Sequence, residues 1–155
     1  MPKMIFVNLP VKNVAKSTSF YEAIGATRNP MFSDETASGM VFSDTIHVMI
    51  LDHDKFSQFT PKKIADANTV SEVLVCLSAE SKAEVDATVE KAVNAGGKAD
   101  PGPKQDYGFM YGRSFEDLDG HIWEIMWMDM EEAKRSWASI RENDYPGQWR
   151  RKCQV

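Results

Sequence analysis

The sequence predicts an α+β fold of two tandem βαβββ modules, forming a curled mixed sheet around a cup, with an extra C-terminal helix. Three observations carry this. A strand-like run followed by an amphipathic helix occurs twice, starting at Met4 and again at Glu72. Each helix is closed by glycine, Gly25 in the first copy and Gly96-Gly97 in the second. Strand candidates then cluster in threes, whereas a doubly wound fold alternates strand and helix throughout. The expected domain spans 1–129, with half one at about 1–52, a linker at about 53–70 and half two at about 71–129. Residues 130–155 are read as an amphipathic helix and tail.

In the first half, Met4 to Leu9 is a short apolar run edged by Pro10 and reads as a strand. Asn13 can cap a helix that places Val14, Ser17, Phe20, Tyr21 and Ile24 on one face. Ala26–Phe32, Ser38–Phe42 and Ile46–Leu51 are the three strands that follow, separated by polar turns. From Asp52 to Asn68 the chain is polar and aperiodic, with Pro61 and Lys62-Lys63, and is read as a crossing linker with at most one helical turn.

The second half begins with a strand over Glu72–Leu77. Ser81-Lys82-Ala83-Glu84 is a capping box, because a serine and a glutamate three residues apart satisfy each other's free backbone N–H groups. Val85, Val89, Ala92 and Val93 form the apolar stripe of the helix it opens. A short strand near Lys98, the turn Pro101-Gly102-Pro103 and a hairpin of Tyr107–Phe115 with His121–Trp127 complete the module. Asp117-Leu118-Asp119-Gly120 suits the hairpin turn. Beyond Met128, the residues Met130, Ala133, Trp137 and Ile140 recur on one helical face, with Glu131 and Arg135 spaced as an ion pair. Tyr145, Pro146 and Trp149 belong to a tail without period.

The composition limits the function classes. A net charge of -5 over 155 residues gives no basic footprint for nucleic acid. The apolar runs are too short to span a bilayer, and the start lacks a signal-peptide pattern, so a cytoplasmic location is expected. Cys76 and Cys153 are too few for a disulfide framework; Cys76 lies in a strand-like run and Cys153 in the tail.

Two motifs resemble a known family. Asn8-Leu9-Pro10-Val11-Lys12-Asn13-Val14, with Ser17, Phe20-Tyr21-Glu22 and Gly25, resembles the opening of vicinal oxygen chelate proteins. These include glyoxalase I, bleomycin- and fosfomycin-resistance proteins and extradiol dioxygenases. Gly112 to Glu124, with a carboxylate four residues after the turn glycine, is similar to the family's closing hairpin. The resemblance covers about residues 4–129 and is nearest to bacterial predicted lactoylglutathione lyases.

The resemblance implies a site of four inward side chains, two per half, around one divalent ion that acts as a Lewis acid. Carried onto this chain, the usual histidine position falls on Phe6, and the last strand of the first half offers only Val48 or Ile50. The second half offers Glu72 and Glu124, with Glu124 also the expected catalytic proton carrier. Two carboxylates plus waters would hold Mg²⁺ or Mn²⁺ weakly, or the protein works with no metal. Paired in one cup, the two glutamates would repel and one pKa would rise.

Strand alternation is expected to line the cup with Phe6, Asn8, Leu74, Cys76, Phe109, Tyr111 and Met126, a form suited to a small organic ligand. His47 and His121 are read onto the opposite face, and His53 near the linker. Arg113 is expected to pair with Glu116 or Asp117. The alternatives are a lyase- or isomerase-like enzyme with a weak metal site and a metal-free binder of the antibiotic-sequestering type. The resemblance implies a homodimer for both.

Overall fold

The structure is a computed structural model that describes residues 1–139, with only the backbone of the last three. The expected Trp137 side chain, Ile140, Tyr145, Pro146, Trp149 and Cys153 lie outside the described residues.

The first module runs β1 (Ile5–Val11), α1 (Val14–Ala23), β2 (Thr27–Asn29), β3 (Ala37–Val41) and β4 (Ile46–Asp52). Its four strands form one mixed sheet in the order β1-β4-β3-β2, with β1 and β4 parallel. A one-turn helix α2 (His53–Ser57) opens the linker. The second module repeats the scheme with β5 (Leu74–Ser78), α3 (Lys82–Asn94), β6 (Lys98–Ala99), β7 (Gln105–Asp106), β8 (Met110–Glu116) and β9 (Ile122–Met128). Its sheet has the order β5-β9-β8-β6, with β7 also on β8 and β5 parallel to β9. Helix α4 (Met130–Ser139) follows.

Local chemistry sets these boundaries. The Asn13 side chain accepts from the Lys16 N–H at 2.9 Å, and the Ser81 side chain accepts from the Glu84 N–H at 3.1 Å. Both long helices end alike. Ala26 N–H donates to Tyr21 and Gly97 N–H to Ala92, each reaching back five residues around a glycine at φ +111° or +102°. A side chain at Gly25 or Gly96 would strain this left-handed position.

The strand expected over 26–32 stops at Asn29. There the Asn29 side chain caps the Met31 N–H, and Pro30 starts a 3-10 turn over Pro30–Phe32 for which its fixed φ is suited. Val93, expected in the buried stripe of α3, is exposed, as is Met130 on α4. In α4, Arg135 pairs with Glu132 and Lys134 with Glu131, so the spacing of three prevails over the expected Glu131–Arg135 pair.

One hydrophobic core joins the modules. Leu9, Val11, Phe20, Tyr21, Val48 and Ile50 from the first half pack with Val85, Val89, Phe115 and Trp123 from the second. The core rests on the helical sides of the sheets, where α1 contacts β3 and β4 while α3 contacts β8 and β9. Aromatic rings cross between the halves: Phe20 lies 6.1 Å from Phe115, and Tyr21 5.7 Å from Trp123. At the centre, Trp123 Nε1 donates to the Tyr21 hydroxyl, which donates to Asp117 at 2.6 Å. These polar atoms are buried and fully partnered, so they specify one way of joining the halves.

Candidate functional site

Strand register decides which residues share a face. In the first sheet, Phe6 lies opposite His47 and Asn8 opposite Met49. Leu9, Val11, Val48 and Ile50 form the alternate set and are buried in the core. Phe6 and Asn8 therefore occupy the open face, as expected. His47 joins them there, with its ring stacked on Phe6 at 4.9 Å. The expectation that Val48 or Ile50 faces the cup and His47 turns away is corrected. The larger aliphatic set was drawn to α1, leaving His47 and Met49 on the side of Phe6.

In the second sheet, Cys76 lies opposite Glu124, Ser114 opposite Glu124 on the other side, and Gly112 opposite Met126. Leu74, Cys76, Glu124 and Met126 thus share the open face with Gly112 and Ser114. Tyr111 and Arg113 belong to the opposite face of β8 and turn toward α3. There the Tyr111 hydroxyl donates to Asp86 at 2.8 Å, and Arg113 binds Asp86 and Asp100 at 2.9 and 2.7 Å. This corrects Tyr111 as a cup residue and replaces the expected pairing of Arg113 with Glu116 or Asp117. Phe109 stands before β8, half-buried, with its carbonyl accepting from Asp129. It does not line the cleft beside Glu124.

Glu72 is also placed differently. It precedes β5, and its carboxylate meets His121 Nδ1 at 2.5 Å. His121 Nε2 donates to the Pro10 carbonyl at 2.7 Å, so this buried imidazole ties the linker end, β1 and β9 together. Glu72 and Glu124 therefore do not form a carboxylate pair. Burial alone would pull the His121 pKa down, but the Asp117 charge and the bonds to Pro10 and Glu72 outweigh it and leave it raised. Asp117 is itself pushed up by burial, opposed by His121 and by the bond from Tyr21.

What remains is a small cleft of about 90 Å³ bounded by Cys76, Gly102, Gln105, Ser114, Glu124 and Met126. Glu124 is half-buried at its wall, and among the described residues no hydrogen bond or ion pair engages its carboxylate. Packing around the sulfur and the Glu124 charge push the Cys76 thiol up, so it stays protonated and is a poor nucleophile. The donors do not fit the expected metal centre: among the described residues, no group of three His, Cys, Asp or Glu side chains is arranged to hold a metal ion. Cys76 stands directly across from Glu124 in the β5–β9 pair. Sequence reasoning missed Ser114 and Gln105, whose place depends on the pairing of β8 with β7 and β9.

Among the described residues, no helix is long and apolar enough to cross a membrane. Comparison with solved structures finds the same architecture in several bacterial proteins. A hypothetical protein, SA1046 from S. aureus, is 26% identical, with a TM-score of 0.67 over 81% of this chain and 94% of that one. A glyoxalase/bleomycin resistance protein/dioxygenase family enzyme from Burkholderia phytofirmans PsJN is 16% identical, with a TM-score of 0.67 over 83% of this chain and 100% of that one. The fosfomycin resistance protein FosX from Listeria monocytogenes is 18% identical, with a TM-score of 0.59 over 85% and 98%. No curated protein matches the chain. The family's sequence profile matches residues 3–125, from the start of the first module into β9 of the second. The chain belongs to the glyoxalase/bleomycin resistance protein/dioxygenase superfamily.

Proposed function

We propose that the protein binds a small organic molecule at the open face of its second sheet, with Glu124 as the carboxylate that contacts it. The observation that carries this reading is a half-buried glutamate at the wall of a cleft, with no partner among the described residues. A carboxylate offers acceptors only, so it favours a ligand with an amine, amidine or other N–H donor. Ser114 and Gln105 add polar atoms, while Met126 and Leu74 offer apolar contact. This is the metal-free binding alternative, favoured over a lyase-type reaction because Glu72 is engaged with His121 and not with Glu124.

The reading includes a homodimer. A cleft of about 90 Å³ is well below the roughly 300–1,000 Å³ of sites that enclose an organic ligand. Met4, Ile5, Phe6, Phe32, Val73 and Leu74 are exposed, an apolar surface that a second copy could cover while adding a wall. The test is a thermal-shift screen with small aromatic amines, phenethylamine among them, alongside light scattering. Stabilisation of the wild type and its loss in Glu124→Gln are expected. A ligand that stabilises both proteins equally would overturn the role of Glu124, and a monomer at micromolar concentration would overturn the dimer.

A further inference from the structure

Arg113 lies on the reverse of β8 from the Glu124 cleft, yet it grips the loop that walls that cleft. Its side chain is 11% exposed. Nε donates to Asp100 Oδ1 at 3.1 Å and Nη2 to Asp100 Oδ2 at 2.7 Å, while Nη1 donates to Asp86 at 2.9 Å. Asp100 directly follows β6 and starts the loop to β7, in which Gly102 and Pro103 bound the cleft with Cys76, Ser114 and Glu124.

Asp100 is held in a backbone conformation that its side chain disfavours. Its φ is +49°, and among the described residues it is the only one other than glycine in the left-handed region. Such a conformation persists only where the surroundings fix it. Two bonds to Ser114 fix the loop's backbone: Asp100 N–H donates to the Ser114 carbonyl at 2.8 Å and Gly102 N–H to Ser114 Oγ at 3.3 Å. The fork from Arg113 fixes the side chain. That bond also holds the Asp100 carboxyl below its ordinary range, so the pair keeps its charge at neutral pH. One residue on the back of the sheet therefore decides where the wall on the front stands.

We propose that Arg113 is a positioning residue that sets the width of the Glu124 cleft through Asp100 and the loop to β7, admitting slender ligands and rejecting broad ones. The ligand consequence rests on the binding reading of that cleft. The width itself is measurable without a ligand.

Exposed Cys76, in the wall of the cleft, is the reporter, and Cys153→Ser removes the other cysteine from the full-length chain. Each protein is labelled with N-ethylmaleimide and with the bulkier N-(1-pyrenyl)maleimide. Both need the thiolate, so the ratio of the two rates cancels any change in ionisation and reports access by size. Asp100→Ala and Arg113→Lys should each raise the pyrenyl-to-ethyl ratio at least about threefold, the scale of one partly exposed ion pair. Asp86→Asn, which touches Arg113 but not the loop, should leave the ratio as in the parent. The same proteins are titrated with phenethylamine and 2,2-diphenylethylamine, and Asp100→Ala should shift the preference toward the diphenyl compound. An unchanged ratio in Asp100→Ala, or an equal rise in Asp86→Asn, would overturn the proposal. A raised ratio with neither amine bound by any variant would sustain Arg113 as the setter of width and overturn the ligand reading of the cleft.

Discussion

Replacing Glu72 with Gln tests the charge on His121 and the tie it makes between the halves. Both ring nitrogens meet oxygens that accept, one a carboxylate and one a backbone carbonyl, so the folded state favours the imidazolium. The His121 side chain is 3% exposed and that of Glu72 25%. Removing one partner of a fully buried ion pair costs about 3–5 kcal/mol. Here Glu72 is partly in water and Asp117 remains beside the imidazole, so the loss scales down to about 1–2 kcal/mol. At roughly 2–4 °C per kcal/mol for a chain of this size, Tm should fall by about 2–8 °C near pH 6.

The pH dependence has a definite sign. The folded-state pKa of His121 is raised, so its stabilisation is complete below the unfolded value of about 6.5 and is lost as pH rises through the folded value. The Tm gap between wild type and Glu72→Gln should therefore narrow from pH 6 toward pH 9. Asp117 is also raised, and its contribution is lost as pH climbs through its own folded value, but it stands in both proteins and so largely cancels in the gap between them. Tyr21 is raised from an ordinary value already near the top of the scale, so it leaves this window untouched. Calorimetry of both proteins across pH 6–9 makes the measurement. A gap that stays constant, or no gap at pH 6, would refute the charged tie.

Other outcomes follow from the same contacts. Tyr21→Phe leaves Asp117 Oδ2 and the Trp123 N–H without their partner in the core, while Asp117 Oδ1 keeps the backbone N–H groups of Asp119 and His121, and should cost about 1–3 kcal/mol in urea unfolding. Gly97→Ala puts a Cβ 2.5 Å from the Glu116 carbonyl and 3.0 Å from Phe20, which should lower the urea midpoint by more than an exposed alanine substitution does. Arg113→Lys loses the two-pronged grip on Asp100 and the bond to Asp86, and should cost about 1 kcal/mol in the same assay. Glu124→Gln should leave stability within about 0.5 kcal/mol, because no described residue depends on that carboxylate.

The order of elements was legible because it rests on local chemistry: two capped helices, two closing glycines and polar turns in the same sequence. The face of Glu124 was legible too, since the turn ahead of β9 fixes where that strand begins. The remaining site residues depended on register. Reading β8 one residue out of step with β9 carries Tyr111 to the wrong side, because a slip of one inverts every side chain. In β4, alternation yields two sets of residues but does not say which set packs against a helix. Glu72 could not be placed from its neighbours in sequence, because its partner His121 comes from the far end of the second half.

Phe6, His47, Cys76 and Glu124 stand on the open sides of the sheets, while Tyr21, Phe115, Trp123 and Asp117 hold the halves together on the opposite sides. Substitutions on the open sides disturb few packed neighbours and carry little folding penalty. Those on the shared side must satisfy both modules at once. A chain built this way can exchange its ligand chemistry one sheet at a time while its architecture stays fixed, so sequence drift should concentrate on the open positions and spare the joint.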